Sequence, residues 1–265
     1  METTSSKREV LAWGVVSHGR LGTGKPQREV EINFFGNRKL KDPKRYDSEP
    51  SIIPRLTDKN IVGISAGTDH ALALSDSGEV FAWGSNSLGQ CGAIDLDPLH
   101  LRRIELQRHR DRYNGTKEDK APNLWDDVWL PRIIPQFGPS TGVVIKSVSA
   151  GGIHSAAIDR NGLVYSWGGG GNSNCLGHGE ISSYEFGNSE KNDSLRRQVL
   201  AMSGHLRIPK WAIPRSIKSL KEDKISQISL GRAHCAAVSS TGSIFVWGDE
   251  TMEIQKVRGR WIENE

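Results

Sequence analysis

Apolar and polar positions follow the same order at three places in the chain. The copies read IVGISAGTDHALALSDSGEVFAWG from Ile61, IKSVSAGGIHSAAIDRNGLVYSWG from Ile145 and ISQISLGRAHCAAVSSTGSIFVWG from Ile225. In each copy an alternating segment is followed by a run of small and apolar residues, a polar turn, and a segment rich in β-branched and aromatic residues. Such alternation and composition are typical of β-strands. Each copy therefore predicts a meander of three or four antiparallel strands.

The copies share five positions that the pattern fixes in register. A Gly precedes a His by three residues, a second Gly lies in the polar turn, and a Trp-Gly pair ends the last strand. These positions are Gly67, His70, Gly78, Trp83 and Gly84 in the first copy, Gly151, His154, Gly162, Trp167 and Gly168 in the second, and Gly231, His234, Gly242, Trp247 and Gly248 in the third. The Asn-Gly turn of the second copy is a strong hairpin signal. Because one small meander cannot bury both faces, stacked copies predict a β-propeller.

The segment LAWGVVSHGRLG from Leu11 repeats only the Trp-Gly half of the pattern. The predicted organisation is one repeat domain over residues 1–265. Within it the predicted units are the half-repeat 8–24, the repeats 51–92, 131–179 and 212–250, and the insertions 25–50, 93–130 and 180–210. A Pro lead-in precedes each full copy, at Pro54, Pro135 and Pro214, and fits an edge or entry strand. Insertions in one slot emerge on one face, which is often the binding face.

The fold class predicted is all-β: a partial or open propeller of about three to four blades, with helical and loop insertions between repeats. An open arc leaves exposed strand edges at both ends. Three explanations stay open for this arrangement. The sequence is a fragment of a longer chain, the half-repeat closes a small ring with the third copy, or the protein associates with another copy of itself. The fragment is the favoured interpretation.

The stretches ISAGTDHALAL and VSAGGIHSAAI carry a family resemblance, since a hydrophobic residue, two small residues and Gly-x-x-His followed by small and apolar residues resemble the repeat of the regulator of chromosome condensation family. ISLGRAHCAAV departs from it at Leu230 and Cys235. The resemblance implies a propeller, seven-bladed in complete members. It also implies a choice of functions: exchange of guanine nucleotide on the small GTPase Ran together with chromatin docking, scaffolding, a ubiquitin-ligase module, or ultraviolet-B reception in plants.

The insertions hold the predicted partner contacts. The insertion 93–130 contains a predicted helix over 97–112 with a basic cluster, and the insertion 180–210 contains a predicted helix over 194–202. A solvated surface is the plain interpretation of the basic cluster, and contact with an acidic partner is the functional one. The candidate contact residues are Arg102, Arg103, Arg108, Arg110, Arg112, Trp125 and Trp129.

Charge and chemistry narrow the function classes. The chain has 35 basic and 31 acidic residues, a mixed surface that permits a nucleic-acid or chromatin partner without indicating one. Its 3 cysteines are far apart and form no Cys-x-x-Cys pair, which favours an intracellular compartment, cytoplasmic or nuclear. No apolar run is long enough to cross a membrane.

The repeated histidines predict structural roles, each paired with a backbone group, because they occupy the same place in successive units. Gly168 to Gly171 are not followed by the Lys-Ser or Lys-Thr pair of a phosphate-binding loop. The sequence therefore predicts no catalytic residue, no cofactor and no metal. The predicted function is a non-enzymatic protein-protein interaction scaffold, and the alternative is a guanine nucleotide exchange factor for a Ran-like small GTPase.

Overall fold

The computed structural model of the protein describes residues 8–24, 30–32, 38–40, 46–92, 127–169, 174–178, 210–248 and 251–257. The described residues form five antiparallel sheets, three of four strands and two of two strands. The all-β prediction is confirmed. The helices predicted over 97–112 and 194–202 lie outside the described residues.

The strands, in chain order, are β1 Leu11–Val15, β2 Val30–Ile32, β3 Arg38–Leu40, β4 Tyr46–Ile52, β5 Ile61–Ala66, β6 His70–Ser75, β7 Val80–Gly84, β8 Val128–Ile133, β9 Ile145–Ala150, β10 His154–Asp159, β11 Val164–Gly168, β12 Arg215–Ser216, β13 Ile225–Leu230, β14 His234–Ser239, β15 Ile244–Gly248 and β16 Thr251–Val257. Short 3-10 turns span Ser17–Gly19, Pro54–Leu56, Pro139–Thr141, Lys210–Ala212 and Lys218–Leu220. The described residues include no helix long and apolar enough to cross a membrane.

Each repeat supplies the first three strands of a blade. In the first and second blades the fourth strand follows an insertion, whereas in the third blade β16 follows β15 after two residues. The first blade is β5 to β8, the second is β9 to β12, and the third is β13 to β16, each in sequential order. The half-blade is the pair β1 and β4, which correspond to the third and fourth strands of a full blade. The hairpin of β2 and β3 lies between the two strands of the half-blade.

The predicted turns form as the sequence indicates. Gly78, Gly162 and Gly242 lie between the second and third strands with φ of +85°, +86° and +82°. This left-handed backbone is readily adopted by glycine alone. The amide of Gly162 donates to the carbonyl of Asp159 at 3.0 Å, and the other two turns have the same bond.

The prolines of the lead-ins lie beside the fourth strands. Pro54 begins a 3-10 turn after β4, and Pro214 directly precedes β12. A further proline, Pro131, lies within β8, which is the edge strand of its sheet. A residue without an amide hydrogen is tolerated there because the outer edge needs no ladder bond.

The core lies between the blades. One buried cluster joins the half-blade, the first blade and the second blade, and includes Val10, Leu72, Phe137 and Trp167. A second cluster joins the second and third blades and includes Ile158, Phe245 and Trp247. Each blade thus buries its faces against its neighbours, which is the packing of a repeat protein.

The Gly of the Gly-x-x-His motif is required where another blade follows. A β-carbon on Gly151 would lie 2.7 Å from the carbonyl oxygen of Gly231 in the third blade. The amide of Gly152 donates to that same carbonyl at 3.1 Å, so the two backbones are held together at this point. At Gly231 the three atoms nearest to a β-carbon would all belong to the ring of His234, an exposed side chain.

We therefore expect Gly151→Ala and Gly231→Ala to differ although both replace the same motif residue. The first forces two backbones apart and should lower the free energy of unfolding by about 2 kcal/mol or more. The second needs only a rotation of an exposed imidazole and should cost less than about 1 kcal/mol. Urea unfolding followed by tryptophan fluorescence measures both. Equal losses would contradict the assigned contact.

Candidate functional site

The repeated histidines bind side chains of the following blade. His70 Nε2 lies 2.8 Å from Ser155 Oγ, and the Ser155 hydroxyl donates to the carbonyl of Gln90 at 2.8 Å. Because that hydroxyl has one hydrogen, the imidazole Nε2–H must be the donor to Ser155. The sequence prediction of a backbone partner for this histidine is wrong. The backbone group is reached through one intervening side chain.

The next interface repeats the relay with sulfur in place of oxygen. His154 Nε2 lies 3.2 Å from Cys235 Sγ, and the Cys235 thiol donates to the carbonyl of Cys175 at 3.2 Å. Burial, and then the neighbouring Cys175, raises the pKa of Cys235 well above its usual value. The thiol therefore keeps its hydrogen and acts as a donor rather than as a nucleophile.

The repeated tryptophans bind the same carbonyls. Trp167 Nε1 donates to Gln90 at 2.9 Å, and Trp247 Nε1 donates to Cys175 at 3.0 Å. Trp83 Nε1 donates in the same way to the carbonyl of Arg20 at 2.8 Å. Each acceptor lies in the loop that follows the third strand of the preceding blade. At each interface one carbonyl therefore accepts a hydrogen bond from the tryptophan. Where the residue after the histidine has a side-chain donor, the same carbonyl accepts a second hydrogen bond from it.

Serines add a third contact that the sequence reasoning missed. Ser65 Oγ accepts the amide of Ala150 at 2.9 Å, and Ser149 Oγ accepts the amide of Leu230 at 3.1 Å. The signal was a serine that recurs two residues before the motif Gly in all three copies. These serines join the first strands of neighbouring blades.

At each end of the series of blades, one of the repeated residues is exposed. Trp13, the tryptophan of the half-blade, is 58% exposed, whereas Trp167 is fully buried. At the other end the His234 side chain is exposed, whereas His70 and His154 are buried. The repeat residues are therefore buried only where a neighbouring blade supplies the other half of the contact.

Burial holds the contact histidines in the neutral form. Burial first, and then the nearby His154, lowers the pKa of His70 to about 4. Burial, and then His234, lowers the pKa of His154 to about 4 as well. The Nδ1 atom of each ring is buried and has no hydrogen-bond partner among the described residues, so an added proton would be buried without an acceptor.

The loops near these contacts form one surface, which we call the loop face. It consists of the first-to-second strand loops 67–69, 151–153 and 231–233 and the described loop segments 16–24, 85–92 and 174–178. Close backbone contacts bring the two sets together: the amide of Ser85 donates to Asp69 at 2.7 Å, and that of Gly169 donates to Ile153 at 2.7 Å. The described loop segments 16–24, 85–92 and 174–178, each of which ends just before one of the three insertions, belong to this face.

The loop face changes character from one interface to the next. Between the half-blade and the first blade it is charged, with an ion pair between Arg20 and Asp69 and a contact of 3.1 Å between His18 and Asp127. Between the first and second blades it is apolar: Leu88 is 38% exposed and Ile153 is 42% exposed, and both flank Gly169.

Of the partner-contact residues predicted from the sequence, only Trp129 lies among the described residues. Trp129 lies half-buried in β8, and its carbonyl accepts the amide of Gly24 at 3.0 Å. Arg102, Arg103, Arg108, Arg110, Arg112 and Trp125 lie outside the described residues. Their role in partner binding stays a prediction. Among the described residues, no group of three or more His, Cys, Asp or Glu could hold a metal ion.

Comparison with known proteins identifies the repeat. The model of the regulator of chromosome condensation (RCC1) repeat matches residues 9–74 and 161–238, and a second model of the same repeat matches 61–90, 145–174 and 225–252. The chain belongs to the RCC1-repeat family. The matches include all three Gly-x-x-His copies, so the family resemblance carried by these motifs is confirmed.

The curated relatives of this RCC1-repeat chain include proteins with different named activities. Human "E3 ubiquitin-protein ligase HERC2" is 27% identical over 92% of this chain, which spans 5% of that protein. "Ultraviolet-B receptor UVR8" of Arabidopsis thaliana is 27% identical over 90% of this chain, which spans 60% of it. The chain therefore covers less than two thirds of the length of these relatives.

Solved structures show the same fold. Human WBSCR16 superposes with a TM-score of 0.55 at 19% identity, covering 96% of this chain and 49% of that one. Yeast RCC1 (Prp20), solved bound to Kap60, superposes with a TM-score of 0.53 at 20% identity, covering 96% of this chain and 45% of that one. These superpositions support the propeller-type arrangement of the blades.

The neutral histidines predict a loss of stability in mild acid. His70, His154 and His178 each have a folded pKa lowered to about 4 from 6.5. The unfolded chain therefore binds protons first, and stability that is complete above pH 6.5 is lost as the pH falls toward 4. Each group contributes up to about 1.4 kcal/mol per pH unit in that window. The midpoint urea concentration for unfolding should decrease as the pH is lowered from 7.5 to 5, and it should decrease less steeply in His70→Asn. A midpoint independent of pH would refute this.

The tryptophan contacts predict that the same Trp→Phe replacement lowers the free energy of unfolding by different amounts at different repeats. Trp167→Phe removes a buried indole N–H donor and leaves a gap, and should cost at least about 1 kcal/mol of unfolding free energy. Trp13→Phe alters an exposed ring and should cost less than about 0.5 kcal/mol. Thermal unfolding followed by circular dichroism compares the two. A Trp13→Phe loss as large as that of Trp167→Phe would show that Trp13 is buried in solution.

Proposed function

We propose that this protein is a non-enzymatic interaction scaffold that binds a protein partner on its loop face. The observation that carries the proposal is that the described segments just before the three insertions lie on the face that also bears the exposed pair Leu88 and Ile153. Loops held by a rigid framework are the usual place for recognition in repeat proteins. The blade residues themselves are occupied in holding neighbouring blades together.

The two parts of the loop face suit different partner groups. Leu88 and Ile153 offer an apolar anchor point whose burial would stabilise a complex. The insertion 93–130 adds Arg102, Arg103, Arg108, Arg110 and Arg112, which favour an acidic segment in the partner. A partner with an apolar side chain beside an acidic stretch would fit both.

Capture with matched variants tests this function. The full chain, the double variant Leu88→Asp with Ile153→Asp, and the control Ile133→Asp on the outer strand β8 would each be used for quantitative affinity capture. All three replaced residues are partly exposed, so the free protein should stay folded. We expect a reproducible partner that the double variant loses by at least about tenfold, and that the control retains, because a buried unpaired carboxylate is costly.

The same experiment has a purified arm. A captured partner, once purified, should bind the full chain with saturation, and replacing residues 93–126 by a Gly-Ser linker should weaken that binding. A partner set unaffected by both the double variant and the linker would rule out the loop face as the binding surface. Unfolding curves of all variants serve as the folding control.

Guanine nucleotide exchange on a Ran-like GTPase is the second candidate. Prp20p, which has the same fold, was characterised for its binding to Gsp1p and histones. That likeness supports the candidate only through the fold, since identity is 19%. Release of a fluorescent guanine nucleotide from Ran, accelerated at least about tenfold by the full chain, would favour exchange over scaffolding. An unchanged release rate would remove it.

A further inference from the structure

Two cysteines meet at the interface between the second and third blades. At the interface before it, Gln90 supplies the acceptor carbonyl of the relay and Ser155 supplies the side chain that donates to it. At the later interface the same two positions hold Cys175 and Cys235. The chain has 3 cysteines in total, so two of them belong to one contact between blades.

Each of these cysteines contacts the backbone beside the other. Cys235 Sγ lies 3.2 Å from the carbonyl oxygen of Cys175, and Cys175 Sγ lies 2.9 Å from the carbonyl oxygen of Ala233, two residues before Cys235. One cysteine side chain, the 3.2 Å contact and one carbonyl group join the two Cα atoms, which therefore lie no more than about 8 Å apart. A disulfide spans Cα separations of up to about 7 Å, so a small shift brings the sulfurs within bonding range.

The two cysteines differ in how firmly their backbone is held. Cys235 lies in β14, which is paired on both sides by β13 and β15. Cys175 lies in the segment 174–178, a turn outside the sheets. This turn begins at Asn174, whose φ of +46° is in the left-handed region. Because strand pairing fixes Cys235, the turn that carries Cys175 is the part that can shift.

The closed interface keeps both thiols unreactive. Each cysteine is only 2% exposed. Burial, and then the neighbouring Cys175, raises the pKa of Cys235 well above its usual value. The thiolate is the form of cysteine that reacts with oxidants, and it needs contact with water to be formed. Any reaction of this pair therefore requires the turn to open, and its rate follows the frequency of that opening.

We propose that Cys175 and Cys235 are a modification site for hydrogen peroxide, which converts them to a reversible disulfide that locks the second blade to the third. When the turn opens, the Cys175 thiolate attacks one oxygen of the peroxide. An S–O bond forms, the O–O bond breaks, and the hydroxide that leaves is protonated to water.

The second step closes the bond between the blades. The Cys235 thiolate attacks the sulfur of the Cys175 sulfenic acid, so the S–S bond forms, the S–O bond breaks, and a second water leaves. The two thiols together lose two electrons and two protons, and the peroxide is reduced to two water molecules. Exchange with a reducing thiol reverses the product.

The disulfide changes the interface in two ways. The Cys175 carbonyl loses the Cys235 donor but keeps the Trp247 indole, which donates to it at 3.0 Å. In the unfolded chain the bond closes the long loop 175–235, and the entropy lost there increases with loop length. The oxidised protein should therefore be the more stable form. This device is independent of the loop-face scaffold, because it concerns the contact between blades and not a partner.

Peptide mapping after oxidation tests the pairing. The full chain would be treated with hydrogen peroxide without denaturant, its remaining thiols alkylated, and its tryptic peptides analysed by mass spectrometry. We expect an intramolecular link between residues 175 and 235 in the full chain and equally in Cys91→Ser, since Cys91 lies in another loop. Cys235→Ser should give no link. This variant should fold, because it introduces the hydroxyl that Ser155 supplies at the other interface.

Unfolding and kinetics test the lock. Oxidation should raise the midpoint urea concentration of the full chain by about 0.5 M or more, and dithiothreitol should reverse the change. Peroxide should leave the midpoint of Cys235→Ser unchanged. The rate of disulfide formation should increase with urea well below the midpoint, because more frequent opening exposes the thiols.

Four results would overturn the proposal. They are thiols that stay unmodified through prolonged exposure to peroxide, loss of thiols without the 175–235 link, links to Cys91 or between two chains that form as often, and an oxidised chain with an unchanged midpoint. Circular dichroism before oxidation verifies that each variant is folded.

Discussion

One hydrogen-bonded relay between neighbouring blades underlies the rest of the structure. A neutral histidine donates to a small side chain of the next blade, that side chain donates to a loop carbonyl of the histidine's own blade, and a tryptophan of the next blade donates to the same carbonyl. Every member is buried, so each polar group must find a partner or incur a desolvation cost. The relay therefore fixes both the spacing of the blades and the identity of the residues.

Because each relay needs two neighbouring blades, residues at the same position of the repeat differ in how exposed they are. Trp13 and His234 have the motif residues around them, yet both are exposed because the blade that would complete their contacts is not among the described residues. Stability in such a chain is a sum over neighbouring pairs more than a property of single blades. The loop face is positioned by the same relay, since the acceptor carbonyl of Gln90 belongs to the loop that carries Leu88.

The sequence predicted what depends on local chemistry. Turn glycines such as Gly162, the alternation of β5 and the aromatic third strands follow from propensity and period, and the repeat of Gly, His and Trp identified the family. The fourth strand was harder to place, because β8 pairs with β7 across an insertion and no local signal sets that register. The partner of His70 was wrongly predicted because Ser155 lies in another copy. Contacts between copies are invisible until the blades are placed side by side.

A double-mutant cycle on His70 and Ser155 tests the relay most directly. His70→Ala, Ser155→Ala and the double variant would be compared by urea unfolding at pH 7.5, where the imidazole is neutral. If the relay joins the two blades, the double variant should be less destabilised than the sum of the single variants by about 1 kcal/mol or more. Additive losses would contradict the account, because the two residues would then stabilise their own blades independently.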